Sequence, residues 1–219
     1  MKIIFILMIC FGFSIKSNAE IINFDKDGTG KPPKDFFTEL TGKGKPGNWI
    51  VVQNPTAQSK PNVLAQTDMD KTGYRFPLCI YNKFYAKDVD LKVKFMALKG
   101  KGDQGAGLVW KYSDRNNYYV VRANALEDNV VLYRVINGKR EDLAVKGKGK
   151  TYGVMEKVSS KQWHELRCVA KGSLFTIYFD GKNIFQVEDK TFGNAGKIGL
   201  WTKADSYIIF DDLEFSEIR

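Results

Sequence analysis

The side chains best suited to chemistry crowd into one short stretch. Within YVVRANALEDNVVLYRV, running from Tyr119 to Val135, Arg122, Asn124, Glu127, Asp128 and Asn129 fall inside eight positions. Guanidinium, amide and carboxylate groups at that density can hydrogen-bond a hydroxyl-rich ligand, move a proton, or satisfy one another across a turn. Strand alternation sorts them by side. If Tyr119, Val121 and Ala123 face a core, then Tyr118, Val120, Arg122 and Asn124 face outward from the same sheet. On the next strand Asn129, Val131, Tyr133 and Val135 share one side, and Val130, Leu132, Arg134 and Ile136 the other. Leu108, Trp110 and Tyr112 share a side of the preceding strand, while Trp201 and Lys203 project together from a later one, with Asp205 just beyond.

An outward face that mixes rings with Arg, Asn and Asp suits sugars. Flat rings cover the C–H face of a pyranose while the polar groups bond its hydroxyls. The expected ligand-binding set is therefore Trp110, Tyr118, Arg122, Asn124, Asn129, Tyr133, Trp201 and Lys203. The plainer alternative is a cross-strand ion pair of Arg122 with Glu127 or Asp128.

Several catalytic classes are excluded by residue type and spacing. The chain has one histidine, His164, and no Gly-x-Ser-x-Gly elbow, so a serine triad cannot be assembled. No zinc-ligand spacing and no Gly-rich phosphate loop is present. Glycoside hydrolysis needs two carboxyl groups flanking one bond. The adjacent pairs Glu127-Asp128, Glu188-Asp189 and Asp211-Asp212 would point to opposite sides of a strand, so an acid pair has to come from different strands. Glu127, Asp128 and Asp205 are the candidate acid or base residues, with Arg122 or Lys203 to stabilise an oxyanion. No cofactor is required. A structural calcium could be held by Asp25 and Asp27 of the Asp-Lys-Asp-Gly string together with Asp212, if the chain ends lie side by side.

These residues have to be positioned by strands, because period-two alternation recurs throughout and sustained helical periodicity does not appear. Segments 90–98, 105–112, 117–124, 129–136, 163–172, 173–182, 183–189, 196–204 and 206–215 each read as strands bounded by Asp, Asn or Gly. Asn137-Gly138 and Asp180-Gly181 are two-residue hairpin turns. About ten to twelve strands with Gly-rich turns imply an all-β fold, a two-sheet antiparallel sandwich. The proline-bearing stretches 23–37 and 54–68 read as long edge connections.

The segment 1–19 has Lys2, an apolar run from Ile3 to Phe13 and a small-residue end at Ser17-Asn18-Ala19, which is the pattern of a cleaved secretory signal. Residues 20–219 then form one exported, periplasmic or secreted domain without membrane insertion. Against 34 basic and 25 acidic residues, loss of Lys2 and Lys16 leaves 32 basic and a net charge of +7. The lysines concentrate in GKGKPG, KGKGD and KGKGK, which read as solvated loops. No nucleic-acid-binding motif accompanies them, and the expected state is a monomer. Cys79 and Cys168 remain in an oxidising compartment, where they either pair or serve separately as buried apolar groups.

The strings GNWIVVQNPTAQSKPNVLAQTD, GLVWKYSDRNNYYVVRANALEDNVVLYRVINGKR, WHELRCVAKG, IYFDGK and GKIGLWTKADSYIIFDDLEF resemble a family of exported bacterial single-domain proteins. That family is similar to the DUF1080 group, also called 3-keto-disaccharide hydrolase-like, within the concanavalin A-like lectin/glucanase superfamily. The resemblance runs from about Phe24 to Phe215 and implies a jelly roll of two antiparallel sheets with one concave face. It leaves activity open between a glycan-binding module and a hydrolase or lyase acting on glycosides or 3-keto-glycosides. A protein-binding accessory domain using the basic loops is a third reading.

Overall fold

A computed structural model describes residues 19–218; apart from Ala19, the expected signal segment lies outside the described residues. In chain order the strands are β1 (Glu20–Ile22), β2 (Phe36–Gly42), β3 (Trp49–Gln53), β4 (Asn62–Gln66), β5 (Arg75–Ala86), β6 (Val89–Lys99), β7 (Gly105–Asp114) and β8 (Asn117–Asn124). They continue with β9 (Asn129–Ile136), β10 (Lys139–Asp142), β11 (Val154–Met155), β12 (His164–Lys171), β13 (Leu174–Phe179), β14 (Lys182–Glu188), β15 (Gly196–Thr202) and β16 (Tyr207–Glu217). The count exceeds the sequence expectation because short strands such as β1, β10 and β11 carry too few residues to show alternation. The stretches read as edge connections border β2 and β3, which do edge the two sheets, although β4 lies inside its sheet.

One sheet has the order β14-β13-β12-β6-β16-β4-β3 with β1 beside β16, and the other β10-β9-β8-β7-β15-β5-β2 with β11 beside β9. All-β composition and two antiparallel sheets are as the alternation predicted. Both two-residue turns form as expected. Asn137 and Gly138 have φ of 50° and 75°, and Asp180 and Gly181 have 47° and 78°, the positive-φ pair of a tight hairpin.

Between the sheets lies one apolar core. Val93, Phe95, Leu166, Cys168, Phe175 and Phe210 from the first sheet meet Leu108, Trp110, Tyr119, Val121, Leu132 and Leu200 from the second. The predicted division of β8 holds: Tyr119, Val121 and Ala123 enter this core, whereas Tyr118 and Val120 face away from it. Trp110 is a correction. It pairs across strands with Tyr119 and stacks on it at 5.5 Å, so it belongs to the core and is fully buried. Tyr112 is a second correction. A bulge follows Trp110, with Lys111 at φ 48°, and it turns Tyr112 to the face opposite Leu108 and Trp110.

Of the two readings for the cysteines, separate buried thiols is the one observed. Cys79 on β5 and Cys168 on β12 are free and buried in opposite sheets. Facing sheets stack about 10 Å apart, beyond the roughly 7 Å Cα limit for a bridge.

The second sheet rolls up. In a flat sheet, with strands about 4.8 Å apart, β10 and β5 would be separated by roughly 24 Å. Yet the Arg140 backbone N–H donates to the Tyr74 hydroxyl beside β5 at 2.6 Å, and its guanidinium lies 4.7 Å from the Phe76 ring. Likewise Thr41 on β2 and Tyr118 on β8 share a 2.8 Å hydroxyl contact across three intervening strands. The concave face is thus filled by its own side chains, among them Phe76, Leu78, Val120, Val131, Tyr133 and Trp201. Gly107 makes room for the indole: a Cβ there would meet Trp201 at 3.2 Å and the Val121 carbonyl at 2.9 Å.

Candidate functional site

The polar residues of the opening stretch come together at one end of this rolled sheet. Arg122 projects from β8 beneath Tyr133 and reaches Glu127 Oε2 at 2.7 Å; its side chain is fully buried while Glu127 is 32% exposed. The same guanidinium also donates to Asn129 Oδ1, and to the Tyr133 hydroxyl at 3.2 Å. Asn124 Nδ2 bridges two acids, donating to Asp103 Oδ1 at 2.7 Å and to Glu127 Oε1 at 3.0 Å. Lys203 arrives from the end of β15 and ion-pairs with both Asp103 and Glu127. Tyr152 closes the cluster from the loop before β11, 2.9 Å from the Tyr133 hydroxyl.

Charge in this cluster is balanced internally. Burial raises the Glu127 carboxyl, but Arg122 and Lys203 outweigh it and hold the acid below its ordinary range. Burial pushes Asp103 up, against the pull of Lys203. Both Asp103 oxygens are taken, one by Asn124 and one by Lys203. The tertiary arrangement is an ionic lock, closer to the cross-strand pair than to an open sugar platform. Tyr118 and Trp201 show no exposed surface, and Tyr133 only 2%. Trp201 stacks on Phe76 at 5.3 Å, and the Arg140 guanidinium lies 5.8 Å from its ring. These rings face away from the main core as expected, but the roll of the sheet covers them.

The remaining acids serve the backbone. Asp128, at φ 47°, ion-pairs with Lys157 and accepts the Val158 N–H. Asp205 is fully buried and accepts the backbone N–H groups of Lys101, Gly102 and Asp103, which pin that loop. Neither side chain reaches the Glu127 carboxylate. The carboxylates offered for a structural calcium do not come together as a ligand set. β1 does lie beside β16, but Asp212 is paired with Lys94 and Asp25 accepts the Asn62 N–H. Among the described residues no three His, Cys, Asp or Glu side chains are grouped for a metal.

Solvent-accessible polar side chains without a protein partner collect elsewhere, on the rim of the second sheet. A groove of about 450 Å³ is lined by Phe37, Glu39, Tyr112, Arg115, Asn116 and Lys197. A second groove of about 440 Å³ continues from Glu39, Arg115 and Asn116 along the free edge of β2. Phe37 and Tyr112 meet edge to face at 6.1 Å, and Lys197 lies 5.9 Å over the Phe37 ring. Among the described residues the Glu39 carboxylate, the Arg115 guanidinium and the Asn116 amide have no side-chain partner. The Arg115 carbonyl accepts from Thr41, which clamps the β7–β8 turn over β2. The Ser-Asp-Arg-Asn-Asn turn string (113–117) was the only local signal for this place. Nothing local ties it to Phe37 and Glu39, more than seventy positions earlier.

No family model matches the chain, and no curated protein matches it in sequence. Solved structures do match. Carbohydrate-binding module CBM66 from Bacillus subtilis aligns with a TM-score of 0.61 at 18% identity, over 82% of this chain and 95% of that one. The cellulose-induced protein Cip1 aligns at 0.62 and 10% identity, over 84% and 92%. The GH43 protein BlXynB from Bacillus licheniformis aligns at 0.52 and 15% identity, with 78% of this chain covering 37% of that one. At such identities the likeness speaks for architecture: the chain has the two-sheet jelly-roll fold that these proteins share.

Proposed function

We propose that this protein is an exported carbohydrate-binding domain of the DUF1080 type, and that the sugar lies in the rim groove between β2 and the β7–β8 turn. The observation that carries the reading is the set of unpartnered groups there. The side chains of Glu39, Arg115 and Asn116 lie around the Phe37–Tyr112 ring pair without internal hydrogen bonds of their own. A ring beside free donors and acceptors is what a pyranose needs, whereas the Arg122, Glu127 and Asn124 side chains already bond one another and would have to break those bonds to bind one. The architecture shared with carbohydrate-binding module CBM66 supports the same class of ligand. The test is retention on a glycan array followed by calorimetry. Arg115→Ala and Phe37→Ala should each weaken binding about tenfold or more, the cost of one charged hydrogen bond or one stacked ring. Wild-type protein that is retained by no glycan, or variants that bind as well as wild type, would sink the proposal.

A hydrolase reading draws on one observation, the Asp103–Glu127 pair, whose ionisation is pushed in opposite directions. Against it, Asp103 is 2% exposed and both of its oxygens are occupied. Incubation with aryl glucosides and 3-keto-glucosides decides the matter: aglycone release lost in Glu127→Gln would favour the enzyme.

A further inference from the structure

At the end of the sandwich where β7 bulges, Lys111 turns inward instead of reaching solvent. It is 5% exposed, yet no carboxylate contacts it. Its Nζ donates to the Phe192 carbonyl at 3.0 Å and to the Gly172 carbonyl at 3.4 Å, and the Phe175 ring lies 6.0 Å away. The bulge is fixed by close packing, since a Cβ on Gly196 would sit 2.4 Å from the Lys111 carbonyl carbon. Lys111 lines a pocket of about 240 Å³ together with Lys87, Ser173, Asp189, Lys190 and Phe192.

The acid that lines the pocket is committed elsewhere. Asp189 accepts from the Tyr119 hydroxyl at 2.5 Å, from Arg134 at 2.9 Å and from the Thr191 N–H at 2.8 Å. Asp88 accepts the Gly172 N–H at 2.9 Å. Lys87 and Lys190, both exposed, form no ion pair among the described residues. Three cationic side chains therefore share one small cavity whose lining carboxylate, Asp189, is paired with Arg134. A buried ammonium with no carboxylate in contact is unfavourable, and an anion entering the cavity would relieve it.

We infer that this pocket binds the anionic group of a small ligand, a carboxylate, sulfate or phosphate, held by Lys111 from within and by Lys87 and Lys190 at the rim. Burial lowers the proton affinity of Lys111 against the opposing pull of Asp88, and Lys87 adds to the lowering. The pocket is smaller than the roughly 300 Å³ at which drug-sized sites begin, so it fits a single charged group and a little more. The inference is independent of the rim groove.

Calorimetry on the full chain at constant ionic strength tests it, with sodium sulfate, inorganic phosphate and glucuronate as probes and glucose as the uncharged control. At least one anion should bind while glucose does not, and Lys111→Met should weaken that binding tenfold or more. Glucuronate binding more tightly than the inorganic ions points to the acidic end of a sugar; equal binding points to the oxyanion alone. If Lys111→Met does not fold, Lys87→Ala and Lys190→Ala provide the reading, each with a loss of threefold or more. No binding of any anion, glucose binding as well as glucuronate, or unchanged affinity in the folded variants overturns the inference.

Discussion

Replacing Arg122 with alanine is the sharpest test of the ionic lock. Arg122 is fully buried and bonds Glu127, Asn129 and the Tyr133 hydroxyl. Removing one partner of a buried ion pair costs about 3–5 kcal/mol, because the other charge is left uncompensated. Lys203, 3.4 Å from Glu127, remains to offset part of that, so the lower end, about 3 kcal/mol, is expected. For a chain of this size each kcal/mol lowers Tm by about 2–4 °C, which places the shift on the order of 10 °C. Urea unfolding followed by the fluorescence of the buried Trp110 and Trp201 measures it, with the midpoint lowered and the slope unchanged. The double variant Arg122→Met with Glu127→Gln should be more stable than the sum of the single changes predicts, by about 1–3 kcal/mol of coupling. A loss below about 1 kcal/mol, the value of an exposed pair, or strict additivity would refute the lock.

Three further outcomes follow from named contacts. Cys79 and Cys168 should stay silent to a thiol reagent in the folded protein and react only on unfolding, since burial raises both thiols; fast labelling of native protein would contradict their placement. Asp205→Asn should destabilise by about 2 kcal/mol, because an amide replaces a carboxylate that gathers three backbone donors, and hydrogen exchange at Lys101, Gly102 and Asp103 should rise. Asp70 accepts the backbone N–H groups of Lys45 and Thr72 and the Thr72 hydroxyl, which lower its pKa to about 2. A depressed carboxyl stabilises the fold above its unfolded pKa, so its contribution is complete above about pH 4 and fades as pH falls toward 2. NMR titration of its side-chain carboxyl would expose an error if the midpoint lay near 4.

Much of the fold was legible because side-chain alternation is a local property. The side of β8 on which Tyr118 and Arg122 sit follows from period two alone, and the Asn137-Gly138 and Asp180-Gly181 turns follow from the positive φ that these residues tolerate. Alternation fails where the backbone takes on an extra residue. The bulge at Lys111 reverses the face of Tyr112 and sends the lysine into the end of the sandwich, and no residue type in GLVWKY announces it.

The sequence by itself determined strands, turns, the two-sheet class and the crowding of polar groups between Arg122 and Asn129. Only the tertiary structure decided whether the outward face was open. Twist accumulated over seven strands brings Arg140 onto Phe76 and Thr41 onto Tyr118, contacts that join residues more than sixty positions apart. That roll covers Trp201 and leaves the unpartnered groups at the rim, where Glu39 and Arg115 line one groove. Partner choice among polar groups depends on such long-range closure, because a charge is paired or free according to what the fold sets beside it.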